Sequence, residues 1–225
     1  MSVIIPCRNE AGTIQQTVAA VARLPGVAEI LVVDDGSQDD TARLAKEAGA
    51  RVLRQPPRGK GEAVALGLRH AHHEILLLVD GDLRETAGTL GPLLEPLQSG
   101  RADMTIGVFP PTGKGGGFGV AVRFARWAVK KLTGRELQAP LSGQRAIHRP
   151  ILPLLHIDGG FALEMGLNLD ALRAGLRVEE VLLPESASHA VTGRSLWGFW
   201  HRGRQLVAIV RAILFRWQPK RRRSH

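Results

Sequence analysis

The sequence contains a single cysteine, Cys7, and no uninterrupted apolar run long enough to cross a lipid bilayer. One cysteine excludes an internal disulfide framework and favours a reducing compartment. A secretory leader is not expected, because residues 2–5 already have the pattern of a buried strand. A P-loop is excluded as well, because neither Gly-Lys pair is followed by Ser or Thr. The single cysteine, together with the lack of a membrane span and of an expected leader, favours a cytoplasmic protein.

Acidic residues are absent from the end of the chain. Residues 1–193 hold 21 Lys and Arg together with all 21 Asp and Glu, so this part is formally neutral. Residues 194–225 hold nine Lys and Arg and no acid, which accounts for the formal net charge of +9. Such a segment suits phosphate, an anionic lipid surface or nucleic acid. We therefore predict a domain over residues 1–193 and a basic helix and tail over residues 194–225.

Short apolar runs alternate with helical patterns over the first 80 residues. Four strands are predicted, over residues 2–5, 29–33, 51–54 and 76–79, and Pro6 is expected to end the first of them. This alternation predicts right-handed βαβ units and an α/β fold with a mostly parallel central sheet flanked by helices. In the second half, the patterns predict helices over residues 90–97, 120–132 and 161–174, and strands over residues 103–108 and 177–182.

Pairs of carboxylates follow two of the predicted strands. Asp34 and Asp35 come after the second strand, and Asp80 and Asp82 come after the fourth. The carboxyl ends of parallel strands share one edge of a sheet, where open α/β folds hold their ligands. Two carboxylates separated by one Gly can grip one Mg²⁺ or Mn²⁺ ion from the same side. The two pairs together predict a metal-assisted site at this edge.

Four segments occur in an order that resembles the ordered motifs of family 2 glycosyltransferases with the GT-A fold. They are Ile5-Pro6-Cys7-Arg8-Asn9-Glu10, Val33-Asp34-Asp35-Gly36-Ser37, Arg58-Gly59-Lys60-Gly61 and Asp80-Gly81-Asp82. The resemblance implies a nucleotide-diphospho-sugar donor, with UDP or GDP as the leaving group. A divalent cation, Mg²⁺ or Mn²⁺, stabilises the negative charge that grows on such a diphosphate.

The resemblance also implies roles for individual residues. The donor is implied to contact Pro6, Asn9, Glu10, Asp35, Lys60 and Asp80. Among these, Glu10 is implied to lie near the ribose and Asp35 to accept a hydrogen bond from the base. Asp82 is implied to hold the metal against the diphosphate, while Asp80 faces the ribose or the metal.

Three downstream residues each have a functional and a structural interpretation. Glu164 lies where the family often has an acidic residue over the acceptor, which would make it a general base, but it can equally be a helix carboxylate paired with Arg. Arg145 ends a Ser-Gly-x-Arg element similar to that of polyprenyl-phosphate sugar synthases, which implies contact with an acceptor phosphate; the alternative is a surface Arg. His189 resembles a late metal-ligating His of glucosyl-3-phosphoglycerate synthases, or is a surface loop residue.

Apolar residues recur at helical spacing over residues 196–217, with Trp, Phe and Arg among them. This pattern predicts either an interfacial helix at an anionic membrane, on the inner face, or a core-packing helix with a solvated Arg face. An interfacial helix would be explained by a membrane-bound acceptor, for which polyprenyl phosphate is the leading candidate. A soluble phosphorylated acceptor such as 3-phosphoglycerate is the alternative.

Two rival functions remain at this point. A sugar nucleotidyltransferase shares the architecture, but its Gly-rich first loop is absent after the first strand, where Pro6 to Glu10 stand instead. A nucleic-acid-binding module could use residues 194–225, but it lacks a recognition motif and leaves the acidic pairs unexplained. The oligomeric state stays open.

Overall fold

The computed structural model describes residues 1–110, 119–157, 163–184 and 186, and within them one seven-stranded sheet. The strand order is β3-β2-β1-β4-β6-β5-β7. The strands are β1 (Ser2–Cys7), β2 (Glu29–Asp35), β3 (Arg51–Gln55), β4 (Ile75–Leu78), β5 (Met104–Val108), β6 (Arg145–His148) and β7 (Val178–Leu182). The α-helices are α1 (Ile14–Val21), α2 (Thr41–Glu47), α3 (Lys60–His70), α4 (Glu95–Gln98), α5 (Gly119–Thr133) and α6 (Leu163–Arg173).

The first four strands form the parallel half of the sheet that the sequence predicts. β1 pairs in parallel with β2 on one side and with β4 on the other, and β3 extends the sheet beyond β2. Val3 and Ile5 lie in the core on one face of β1, whereas Ile4 lies in the core on the other. Because both faces are covered, the strand has a continuous apolar sequence rather than an alternating one.

Two predicted element boundaries are wrong. β1 does not stop at Pro6 but continues through it to Cys7, which pairs with Asp34. The continuous helix predicted over residues 90–97 is broken into a 3-10 segment and the four-residue helix α4. Pro92 and Pro96 lie at the start of these two pieces, because proline fits the first turn of a helix but not its interior.

β6 is a strand that the sequence patterns do not predict. It lies between β4 and β5 and runs antiparallel to both, while the other six strands share one direction. Leu78 at the end of β4 pairs with Arg145 at the start of β6. The residues that precede β6 are therefore brought to the edge where β4 ends.

Among the described residues, no helix is both long enough and apolar enough to cross a membrane. The predicted basic helix and tail over residues 194–225 lie outside the described residues, as does most of the predicted loop over residues 109–119.

Glu29, at the opposite edge of the sheet, makes the stability of the fold depend on pH. Its carboxylate accepts hydrogen bonds from the Ser2 hydroxyl (2.6 Å) and from the His72 backbone N–H (3.1 Å), and Arg51 lies 3.5 Å away. Burial raises the pKa of Glu29, but the bonds from Ser2 and His72 outweigh burial and lower the pKa from 4.5 to about 2. A lowered pKa stabilises the fold above the unfolded value, and that stabilisation is lost as the pH falls towards 2.

We therefore expect Glu29→Gln to lower the free energy of unfolding by about 2 kcal/mol at pH 6 and by less than half of that at pH 3. Urea unfolding of both proteins at the two pH values measures this difference. A difference that is the same at pH 6 and pH 3 would contradict the lowered pKa.

Candidate active site

The carboxyl ends of β1, β2 and β4 lie side by side at one edge of the sheet. Since β2 and β4 flank β1 in parallel, Asp35 at the end of β2 and Asp80 and Asp82 after β4 are carried to that same edge. The prediction that the two acidic pairs share one edge is confirmed.

The turn after β1 is tied to the turn after β2 by backbone-to-side-chain hydrogen bonds. The Asn9 N–H donates to Ser37 Oγ (2.9 Å), and the Glu10 N–H donates to Thr41 Oγ1 (2.7 Å). In return, Asn9 Oδ1 accepts a hydrogen bond from the Gln38 N–H (2.9 Å). Asn9 and Glu10, which are predicted to contact the nucleotide-sugar, are thus held in fixed positions beside the end of β2.

Asp35 organises the loop that leads to α3. Its buried carboxylate accepts hydrogen bonds from Gln55 Nε2 (2.7 Å) and from the N–H groups of Arg58 (2.8 Å) and Gly59 (2.8 Å). These bonds fix the backbone immediately before Lys60, the first residue of α3. Asp35 therefore positions Lys60, and its predicted contact with a nucleotide base stays a prediction.

Lys60 bridges two carboxylates from distant parts of the chain. Its Nζ lies 2.7 Å from Asp80 Oδ1 and 2.8 Å from Glu164 Oε1, on α6. Burial works against the protonated amine, but the charges of Asp80 and Glu164 outweigh it, so the pKa of Lys60 lies above its usual value. Lys60 is a fixed cation at neutral pH, and Glu164 holds it in place.

Asp80 also contacts Gln144, a residue that no sequence pattern indicates as part of the site. Gln144 Nε2 donates to Asp80 Oδ2 (2.7 Å), while Gln144 Oε1 accepts a hydrogen bond from the Asp80 N–H (3.1 Å). A Cβ at Gly143 would overlap the Asp80 carboxylate, so a larger residue there would displace that carboxylate. Asp80 is therefore held between an ammonium and an amide.

Arg145 lies behind this group and is fully buried. Its guanidinium donates to the Ser142 carbonyl (2.7 Å from Nη2), to Asn168 Oδ1 (2.8 Å) and to the Glu164 carbonyl (3.4 Å). Burial lowers the pKa of Arg145 to about 10, although the negative charges of Glu164 and Asp80 oppose the change. Arg145 is thus not a surface residue. Its predicted contact with an acceptor phosphate stays a prediction.

Asp82 and Glu10 extend the acidic side of the site. Gly81 packs against Glu10, since a Cβ at Gly81 would lie 3.5 Å from Glu10 Cγ. Burial raises the pKa of Glu10, and the negative charges of Asp82 and Asp80 raise it further, although a hydrogen bond from Thr13 opposes them. A bound cation would offset the repulsion that Asp82 and Asp80 exert on Glu10. Their oxygen donors fit Mg²⁺ or Mn²⁺.

The site therefore unites residues from both halves of the domain. A pocket beside it is lined by Pro6, Lys60, Asp80, Arg145 and Glu164 together with apolar side chains. No cluster of three or more His, Cys, Asp and Glu in the described part of the chain is arranged to hold a metal ion. The third predicted ligand, His189, lies outside the described residues.

Comparison with known proteins gives a family match and close structural neighbours. The family model for glycosyl transferase family 2 matches residues 2–159. Glycosyltransferase AglJ of Haloferax volcanii is 31% identical over 189 residues, which cover 80% of this chain and 60% of the relative. Glucosyl-3-phosphoglycerate synthase of Mycobacterium tuberculosis is 34% identical over 205 residues, which cover 78% of this chain and 62% of the relative. The chain thus spans about three fifths of these relatives.

A crystal structure of the Mycobacterium tuberculosis glucosyl-3-phosphoglycerate synthase, in complex with Mn²⁺, UDP-glucose and phosphoglyceric acid, has a TM-score of 0.77 to this chain. The match has 28% sequence identity and covers 94% of this chain and 79% of that one. The similarity confirms the predicted α/β fold of the GT-A type.

Proposed function

Because the chain belongs to glycosyl transferase family 2, we propose that it transfers a sugar from a nucleotide-diphospho-sugar to a phosphorylated acceptor in a metal-dependent reaction. The observation that carries this proposal is the placement of Asp80 and Asp82 at the sheet edge, where Asp80 pairs with the fixed cation Lys60 and Glu10 lies close by. Oxygen ligands and a lysine ammonium together suit a diphosphate with its cation.

UDP-glucose is the proposed donor and Mn²⁺ or Mg²⁺ the proposed cation, since the neighbouring synthase binds UDP-glucose with Mn²⁺. Asp82 and Asp80 would hold the cation. When bound, it supplies Lewis-acid stabilisation of the departing diphosphate. Lys60 offers a second positive charge to the same phosphates, and Glu164 keeps Lys60 aimed at them. This contact favours a positioning role for Glu164, and its predicted role as general base remains a proposal.

The proposed acceptor is a small phosphorylated acid of the phosphoglycerate type. The synthase of the similar crystal structure binds phosphoglyceric acid. The 34% identical relative from Mycobacterium tuberculosis is named glucosyl-3-phosphoglycerate synthase. The fully buried Arg145 places a positive charge behind the pocket, which favours an anionic acceptor there.

Polyprenyl phosphate at an anionic membrane is the second candidate acceptor. It is favoured by the apolar and Arg pattern of residues 196–217 and by the exposed face of α5. That face exposes four cations and an aromatic ring that is 56% accessible: Arg123, Arg126, Lys130, Lys131 and Trp127. Basic and aromatic side chains on one helix face are typical of helices that bind lipid headgroups.

The proposal is tested with the full chain, a panel of donors and two acceptors. We expect UDP with Mn²⁺ to raise the melting temperature by about 5 °C at saturation, and GDP with Mn²⁺ to raise it less. With UDP-glucose, 3-phosphoglycerate should stimulate Mn²⁺-dependent UDP release. Stimulation by polyprenyl phosphate in anionic vesicles alone would favour the second candidate. Release of pyrophosphate in place of UDP, or the absence of any nucleotide-dependent stabilisation, would overturn glycosyl transfer.

A further inference from the structure

Gln144 makes two hydrogen bonds to Asp80 and has no role in the reaction described so far. It precedes β6 directly and is fully buried. We propose that Gln144 is a positioning residue that fixes the orientation of the Asp80 carboxylate towards the nucleotide-sugar and its cation. The inference rests on the proposed function, since it assigns Asp80 to that donor.

The two hydrogen bonds between Gln144 and Asp80 restrict Asp80 at two points. One fixes the backbone N–H of Asp80 on Gln144 Oε1 at 3.1 Å, and the other fixes the carboxylate oxygen Oδ2 on Gln144 Nε2 at 2.7 Å. The second carboxylate oxygen, Oδ1, is held by Lys60 at 2.7 Å. A carboxylate with each oxygen bonded to a different fixed donor has one rotamer and one plane.

Contacts with β4 and β5 fix the backbone at Gln144. The pairing of Leu78 with Arg145 in antiparallel strands places Gly143 directly opposite Asp80. The Gln144 carbonyl accepts a hydrogen bond from the Gly107 N–H (2.8 Å), which ties this position to β5. Gln144 is therefore anchored by its backbone, and its side chain is left to act on Asp80.

A primary amide side chain of this length supplies both bonds without a change of protonation. An amide has one acceptor oxygen and a donor NH₂ group, which match the N–H and the carboxylate of Asp80. An ionised Glu of the same shape keeps the acceptor but presents a second negative charge to Asp80. Met of similar length provides neither bond. Substitutions at position 144 can therefore distinguish a positioning role of Gln144 from a packing role.

The test compares Gln144→Glu and Gln144→Met with Gln98→Met, which makes the same chemical change at an exposed position on α4. Each full-length protein is titrated calorimetrically with UDP, with and without Mn²⁺, and its unliganded melting temperature and its kcat and KM for UDP-glucose are measured. Loss of a partner that orients a metal-binding carboxylate typically costs 10–100-fold in metal affinity or activity. We expect Gln144→Met to lose about 10–100-fold in Mn²⁺-dependent UDP affinity, Gln144→Glu to lose as much where its side chain is ionised, and Gln98→Met to lose none.

Gln144→Met is the deciding variant, because it removes both bonds at similar length, whereas a buried Glu beside Asp80 can take up a proton and restore the bond to Oδ2. If Gln144→Met stays folded and binds UDP and Mn²⁺ as the unchanged protein does, the positioning role is wrong. If it fails to fold, Gln144 is a structural residue and the inference is also overturned. A failure of the unchanged protein to bind UDP with Mn²⁺ would instead overturn the proposed function itself.

Discussion

Asp82→Asn is expected to lower kcat/KM for transfer from UDP-glucose by about 10³-fold while leaving the fold intact. The substitution preserves the shape of the side chain but removes one negative charge from the group formed with Asp80 and Glu10. Burial raises the pKa of Glu10, and the charges of Asp82 and Asp80 raise it further, so a bound cation would offset a repulsion that is present without it. Without the full charge, the cation binds more weakly and stabilises the departing diphosphate less.

The effect is measured as Mn²⁺-dependent UDP release, together with the melting temperature with and without UDP and Mn²⁺. The matched control is Glu95→Gln, which neutralises an exposed carboxylate that pairs with Arg101 beside the opposite sheet edge. We expect the control to retain its activity and the Asp82 variant to lose the stabilisation by UDP and Mn²⁺. Turnover within tenfold of the unchanged protein would mean that the cation does not depend on Asp82.

The parallel half of the fold could be predicted because its elements carry local signals. Buried runs such as residues 30–33 and 76–79 are apolar on both faces. β6 could not be predicted in this way. It has only four residues, it begins with a fully buried Arg145, and it is a strand only because β4 and β5 lie on either side. Its pairing is set by contacts between distant segments, which local patterns do not contain.

The same distinction separates the predicted site residues from those that were missed. Asp35 and Asp80 could be selected because a carboxylate directly after a buried strand is unusual. Gln144 and Asn168 act through hydrogen bonds to Asp80 and Arg145, which depend on the antiparallel register of β6 and on the position of α6. Both are fully buried amides, and burial is known only once the fold is known.

Arg145→Met is expected to cause the largest loss of stability among single substitutions at this site. The guanidinium joins Ser142, before β6, to Glu164 and Asn168 on α6, and Asn168 in turn donates to the Pro140 carbonyl (2.7 Å). Removing one partner from a buried polar network of this kind costs about 3–5 kcal/mol, because the remaining groups are left unsatisfied. For a chain of this size that loss corresponds to a fall in melting temperature of about 10 °C.

Thermal unfolding of Arg145→Met and Arg145→Lys, with acceptor kinetics for both, separates the two roles of this residue. Lys retains the positive charge beside Glu164 and Asp80 but cannot reproduce the fork that reaches both Ser142 and Asn168, so we expect an intermediate loss of stability. If Arg145→Met keeps its melting temperature within about 2 °C and instead raises the KM for the phosphorylated acceptor, the main role of Arg145 is to bind the acceptor and not to stabilise the buried network. Because its guanidinium is fully enclosed and already donates four hydrogen bonds, we expect stability to change first and acceptor binding to change as a consequence.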